Sequence, residues 1–243
     1  MSSLKPIELF ELGDASGRHY SVFSWRTRMA LAHKGLPWVS RPVKVTDKAA
    51  IAFSGQKKVP IIRDPNAGSG NEGEPVVVHD SWKIAEYLEN AYPVQPSLFG
   101  GPVGHSLSKF MNSWADRQLV GTLFPSLMLD NTKLLEADDA AHVRAGIERA
   151  FGKTLEEVAA GREPAQKAFG KLLDPVRSTL REQPFLCGHA PAYADHILFS
   201  VFQWPRVTTA QPIVAADDML LPWFVRMLDA YGGLGRSEPA AKS

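Results

Sequence analysis

The chain is poor in cysteine, with Cys187 alone among 243 residues. A single thiol excludes an internal disulfide and a zinc site built from several cysteines, and it fits a reducing compartment. The seven histidines are not grouped at ligand spacing, so no metal is expected. Long apolar runs are also missing: nothing approaches the roughly 20 residues that span a bilayer, and Met1 to Ile7 has no secretory hydrophobic region. Excess charge is missing too. Lys and Arg number 27 against 26 Asp and Glu, a formal net charge of +1, which gives no electrostatic footprint for nucleic acid or an anionic membrane. With 44% hydrophobic and 22% charged residues, the chain can bury the core of one compact unit or two small domains, and a cytoplasmic location is expected.

The first 92 residues mix strand and helix signals. Ile7 to Leu12 alternates in polarity and predicts a strand with one buried face. After a turn-rich segment, Ser21 to Lys34 has helical spacing, with Ser21 as N-cap and Gly35 as a stop. Trp38 to Val43 reads as a second strand, and Pro42 places it at an edge. Val59 to Arg63 and Val76 to Val78 flank a turn-rich loop and predict a hairpin, and a helix opens at Asp80-Ser81. Residues 93–102 are rich in proline and glycine and mark a domain boundary. Beyond them helices are expected at His105–Asp130, Asp138–Phe151, Lys153–Ala160, Pro164–Arg181, Tyr193–Trp204 and Asp217–Ala230. The pattern is α/β followed by all-α: a thioredoxin-like domain over 1–92, a linker over 93–102 and a helical bundle over 103–243.

Three features could carry chemistry, and each has a purely structural alternative. Pro60 within Val59-Pro60-Ile61 interrupts a strand; it is either a trans proline at an edge or a cis proline that turns the Val59 backbone toward an extended ligand. Asp80-Ser81 is either an ordinary helix cap or a carboxylate, hydroxyl and free-amide cluster suited to an amino-acid-like ligand. The Ser21 hydroxyl either caps its helix or donates to an anion held at the helix mouth, and Ser24 offers a second hydroxyl in the first turn.

Taken together, Val59-Pro60-Ile61-Ile62 before a hairpin and His79-Asp80-Ser81-Trp82 opening a helix resemble the glutathione transferase superfamily. Within it, Ser21-Val22-Phe23-Ser24-Trp25-Arg26-Thr27 is similar to the Ser-Pro-x-x-Trp-Arg/Lys-Thr opening of bacterial β-aryl etherases of lignin breakdown and a related fungal class. Phe151 to Glu157, Tyr193-Ala194-Asp195 and Tyr231 to Arg236 extend that resemblance. It implies glutathione as cosubstrate, Ser21 as the residue that stabilises its thiolate, and Lys58, Val59, Pro60, Asp80 and Ser81 as its binding residues, with Lys57 an equal alternative to Lys58. It further implies a small aromatic electrophile, with Tyr20, Phe23, Trp114 and Leu127 as pocket candidates, and a homodimer. The rival activities are general conjugation of small electrophiles and non-catalytic ligand binding. A thiol reductase is disfavoured, because the first-helix residue is serine and Cys187, expected as a small buried apolar residue, lies in the helical half. Two positions depart from the pattern. Val22 replaces a proline that would pre-set the first helical φ, and Ala192 leaves Asp195 without a reciprocal capping side chain, a loss of about 1 kcal/mol.

Overall fold

The computed structural model describes residues 4–66 and 74–241. Strand β1 (Ile7–Leu12) runs at the centre of a four-stranded sheet of order β2-β1-β3-β4. Its inward positions are Ile7, Leu9 and Glu11, all fully buried, so the inner face carries a carboxylate at its far end. Arg28 makes that carboxylate tolerable with two charge-assisted bonds of 2.8 Å, from Nε and Nη2. Helix α1 (Val22–His33) carries the chain to β2 (Trp38–Val43), which pairs parallel to β1. Gly35, at φ 63°, lets the chain leave α1 in the left-handed conformation. β2 is an edge strand, where Pro42 costs no ladder bond on its open side. A 3₁₀ turn (Ala49–Ser54) leads to β3 (Ile61–Asp64) and β4 (Val76–His79), an antiparallel hairpin. Most of the turn-rich loop predicted between them lies outside the described residues. Helix α2 (Ser81–Ala91) then packs on α1 and closes the domain.

Residues 92–101 contain neither helix nor strand and lead to the helical half. The single helix expected at His105–Asp130 is longer and interrupted: α3 (Pro102–Trp114), a π-helical turn (Ala115–Val120) and α4 (Gly121–Lys133). Pro125 sits inside α4, where it has no N–H to give the preceding turn. Helices α5 (Ala137–Phe151) and α6 (Leu155–Ala159) follow, the latter opened by a Thr154–Glu157 capping box. The helix expected at Pro164–Arg181 is two, α7 (Arg162–Leu172) and α8 (Asp174–Glu182); Pro175 falls in the first turn of α8, a position that starts helices better than it continues them. Helix α9 (Tyr193–Thr208) continues through Pro205, four residues beyond its expected end. Helix α10 (Leu221–Gly233) starts at Leu221, with Pro222 in its first turn, rather than at Asp217, and it kinks at Ala230–Gly232, where Tyr231 adopts φ 54°. No helix among the described residues is long and apolar enough to cross a membrane.

The domains meet where α1 lies against α9, with Trp25 edge-on to Phe199 at 5.9 Å. Arg26 is fully buried in this seam and reaches Asp116 Oδ1 at 2.7 Å, Asn112 Oδ1 at 2.9 Å and Ser200 Oγ at 3.2 Å. Trp25 Nε1 donates to the His19 carbonyl at 2.9 Å. The Trp-Arg part of the first-helix motif therefore joins the domains and shapes the turn before Ser21. Asp195 is a second hub. Its buried carboxylate accepts from the amides of Leu186 (2.8 Å), Cys187 (3.1 Å) and Ala192 (3.3 Å) and from Trp223 Nε1 (2.9 Å). The missing hydroxyl at Ala192 is thus offset by donors from a neighbouring turn and from α10. Cys187 corrects an expectation: it is exposed, because it lies in the tight turn that offers its amide to Asp195.

Candidate functional site

The site forms where three chain ends of the first domain converge. Ser21 caps α1 with φ −70° and ψ 125°, and its Oγ accepts from the Ser24 N–H at a long 3.4 Å. Because Oγ is the acceptor in this bond, its own proton remains free to donate to a ligand. Val22 is buried and begins the helix, so the helical start survives without the proline. Ser24 is fully buried in the first turn and lines neither cavity described below, which separates the two serines.

Val59-Pro60 is a cis peptide bond immediately before β3. Val59 lies outside the β1–β3 ladder, whose first pair is Phe10 with Ile61. The Pro60 carbonyl accepts from the Asp80 N–H at 3.3 Å, which ties the cis-proline turn to the start of α2. Asp80 is the N-cap of α2, with Oδ1 accepting from the amides of Trp82 (3.0 Å) and Lys83 (3.1 Å). It does so at φ 71° and ψ 126°, a conformation that costs a residue bearing a Cβ about 1–3 kcal/mol. Such strain persists only where its surroundings enforce it, and functional sites are where it collects. Ser81 is buried, and its carbonyl accepts from the hydroxyl of Tyr193 at 2.9 Å, so α9 braces this corner from the second domain.

These groups border two adjoining cavities. The larger, about 680 Å³, is lined by Phe23, Lys57, Lys58, Val59, Pro60, His79, Asp80, Ser81 and Asp116, together with Gly55 and Gln56. The smaller, about 220 Å³, is bounded by Ser21 together with Leu12, Val43, Lys44, Val45, Lys48 and Ile51, and it shares Phe23, Lys57, Lys58 and Val59 with the first. The cleft is therefore acidic at Asp80 and Asp116 and cationic at Lys44, Lys48, Lys57 and Lys58. It suits an extended zwitterionic ligand with an ammonium at one end and a carboxylate at the other.

Of the residues singled out from sequence, Ser21, Lys58, Val59, Pro60, Asp80 and Ser81 are brought together here, and Lys57 stands beside Lys58. Among the aromatic-pocket candidates only Phe23 faces the cavities, 38% exposed and with the Arg26 guanidinium 5.1 Å from its ring centroid. Tyr20 is buried, and burial first, then the charges of Asp139 and Asp14, push its hydroxyl pKa well above the ordinary value. Leu127 is buried in the core and Trp114 packs against that core; neither lines the cleft. Several lining residues were not among the sequence candidates: Lys44 and Lys48 lie just after β2, Gln56 lies next to Lys57, and His79 opens the His79-Asp80-Ser81 motif without having been assigned a role. Asp116 comes from the π-helical turn, for which the sequence carries no obvious signal.

Fold and site together define a class: a thioredoxin-like domain with a cis-proline ligand edge, a hydroxyl at the mouth of its first helix and an all-helical second domain. The chain belongs to the glutathione transferase superfamily. Residues 20–91 match the family model for the glutathione S-transferase N-terminal domain, and residues 106–220 match one for the C-terminal domain. Among solved structures it is similar to the glutathione transferase GSTFuA3 from Phanerochaete chrysosporium, at 27% identity and a TM-score of 0.76, covering 95% of this chain and 93% of that one. It is also similar in fold to the glutathione S-transferase CsGST63524 of Ceriporiopsis subvermispora, solved in complex with glutathione. There the identity is 19%, the TM-score 0.78, and coverage 98% of this chain and 100% of that one.

Proposed function

We propose that this protein is a glutathione transferase that cleaves β-aryl ether bonds in lignin-derived aromatic ketones. The observation that carries the glutathione part is the junction of the two cavities. Ser21 borders one, the Asp80–Ser81 corner borders the other, and Val59 lies between them. Glutathione is extended along Val59 and Pro60, its γ-glutamyl end at Asp80 and Ser81 and its glycyl carboxylate toward Lys58 with Lys57 alongside. Its sulfur is then directed to Ser21.

A free thiol with a pKa of about 8.5 is only a few per cent thiolate at neutral pH. Donation from the Ser21 hydroxyl, with the amides at the start of α1, favours the anion. The thiolate attacks the carbon bearing the aryl ether: a C–S bond forms as the C–O bond breaks, and the electron pair leaves on the phenolate. An adjacent ketone activates that carbon, and Phe23 supplies an aromatic surface beside it. Support for the ether substrate comes from the resemblance of the first-helix motif, Ser21 to Thr27, to that of the etherases.

 The motif is the segment Ser21-Val22-Phe23-Ser24-Trp25-Arg26-Thr27. Incubation with glutathione and a racemic β-aryl ether ketone tests the reading: phenol and a glutathione thioether form together. Glutathione conjugation of other electrophiles without phenol release assigns the general transferase activity instead.

The active unit in this reading is a homodimer. Val103, Leu107 and Phe110 form an exposed apolar stripe along α3, with Phe110 71% exposed. Such a stripe at i, i+4 and i+7 suits burial against a second copy.

A further inference from the structure

We infer that Asp139, in the helical domain, is a positioning residue for the glutathione site. It holds the loop 44–48 as one wall of the Ser21 cavity. The inference rests on the glutathione reading above and adds a residue that contacts no ligand.

The loop follows β2 and contributes Lys44, Val45 and Lys48 to the lining of the cavity that Ser21 borders. Lys44, Thr46, Asp47 and Lys48 are themselves exposed, so the loop has little packing of its own. Its internal bonds, from Asp47 N to the Lys44 carbonyl at 3.3 Å and from Lys48 N to the Thr46 carbonyl at 2.9 Å, shape it without anchoring it. Lys48 Nζ reaches the Lys57 carbonyl at 3.1 Å, a bond at the exposed surface.

The anchor comes from the first turn of α5. Asp139 Oδ2 accepts from the Val45 N–H at 2.8 Å, and Oδ1 accepts from the Thr46 N–H at 2.9 Å and the Thr46 hydroxyl at 2.6 Å. The Asp139 residue is only 4% exposed, so these three charge-assisted bonds are little diluted by water. The start of α5 also favours a carboxylate through the helix dipole. A second tie, from Lys44 to Glu136, the N-cap of α5, at 2.6 Å, is exposed on both sides and contributes little. One side chain of the second domain therefore sets the position of a wall in the first. Its loss frees the lysine-bearing loop and weakens glutathione binding, while Ser21, fixed on α1, keeps its chemistry.

The test compares wild type, Asp139→Ala and Thr46→Val by hydrogen exchange at residues 45 and 46, glutathione calorimetry and steady-state kinetics. In Asp139→Ala, exchange at both amides accelerates, the Kd for glutathione rises about tenfold, and kcat at saturating glutathione stays within about twofold. Thr46→Val, which keeps both amide bonds, gives a smaller rise in Kd and guards against a variant that fails to fold. Unchanged glutathione affinity in both variants, with wild type binding normally, overturns the role of Asp139 alone. Failure of the wild type to bind glutathione overturns the glutathione reading as well.

Discussion

Replacing Asp195 with Ala removes the acceptor for four donors at once: the amides of Leu186, Cys187 and Ala192 and the indole N–H of Trp223. A buried donor left without a partner costs about 1–3 kcal/mol. Trp223 is fully buried, so its indole N–H has no route to water and bears the whole penalty. The Leu186 and Cys187 amides lie in a turn nearer the surface and recover part of theirs. The sum is about 3–5 kcal/mol, a large share of the roughly 5–15 kcal/mol typical of a folded protein. Asp195→Asn keeps one oxygen for the Leu186 amide and the indole but turns an NH₂ toward the other two amides, and costs about half as much. Equilibrium urea unfolding followed by far-ultraviolet circular dichroism measures both variants, with the slope against denaturant checking that the transition remains two-state. An Asp195→Ala midpoint equal to that of wild type would refute the view that this carboxylate ties α9 to α10 and the preceding turn.

Two further outcomes follow from the structure. The Tyr231 hydroxyl lies between His33 Nδ1 at 2.9 Å and His196 Nε2 at 2.8 Å. Burial, then the neighbouring His33, holds the His196 pKa well below its ordinary value, and burial lowers that of His33. The unfolded chain therefore binds more protons below about pH 6.5, so this contribution to stability is complete above that pH and is lost as pH falls toward the folded-state values. The thermal midpoint should drop from pH 7 to pH 5.5, and His196→Gln should flatten that dependence; an unchanged slope would contradict the assignment. On α3, if the proposed homodimer forms through the exposed stripe, wild type is dimeric in light scattering and Phe110→Asp is monomeric; a monomeric wild type would contradict the proposed dimer, and a Phe110→Asp variant still dimeric would show that the stripe is not the interface.

The first domain was legible because each device there is local. A capping serine, a proline before a hairpin and Asp-Ser before a helical run announce themselves within a few residues, and β2 sits at the sheet edge where Pro42 places it. The helical half was read as segments, with errors where proline acts differently from its usual effect: Pro175 starts α8, whereas Pro205 is tolerated inside α9. What a side chain meets across the molecule was not legible. Glu11 is an inward-facing charge because Arg28 reaches it, and Leu127, apolar enough for a pocket, is in the core. Asp116 enters the cleft from a π-helical turn, and Asp139 holds a loop more than ninety residues earlier in the chain.

The most direct test of the central claim is the pH dependence of phenol release from a β-aryl ether ketone by wild type and Ser21→Ala at saturating glutathione. If Ser21 lowers the thiol pKa by one to two units from about 8.5, its loss reduces the thiolate fraction, and the rate, about tenfold at pH 7. The deficit should shrink to about twofold or less by pH 9.5, where a free thiol is mostly ionised without help. Equal rates for the two proteins at pH 7 would contradict the account.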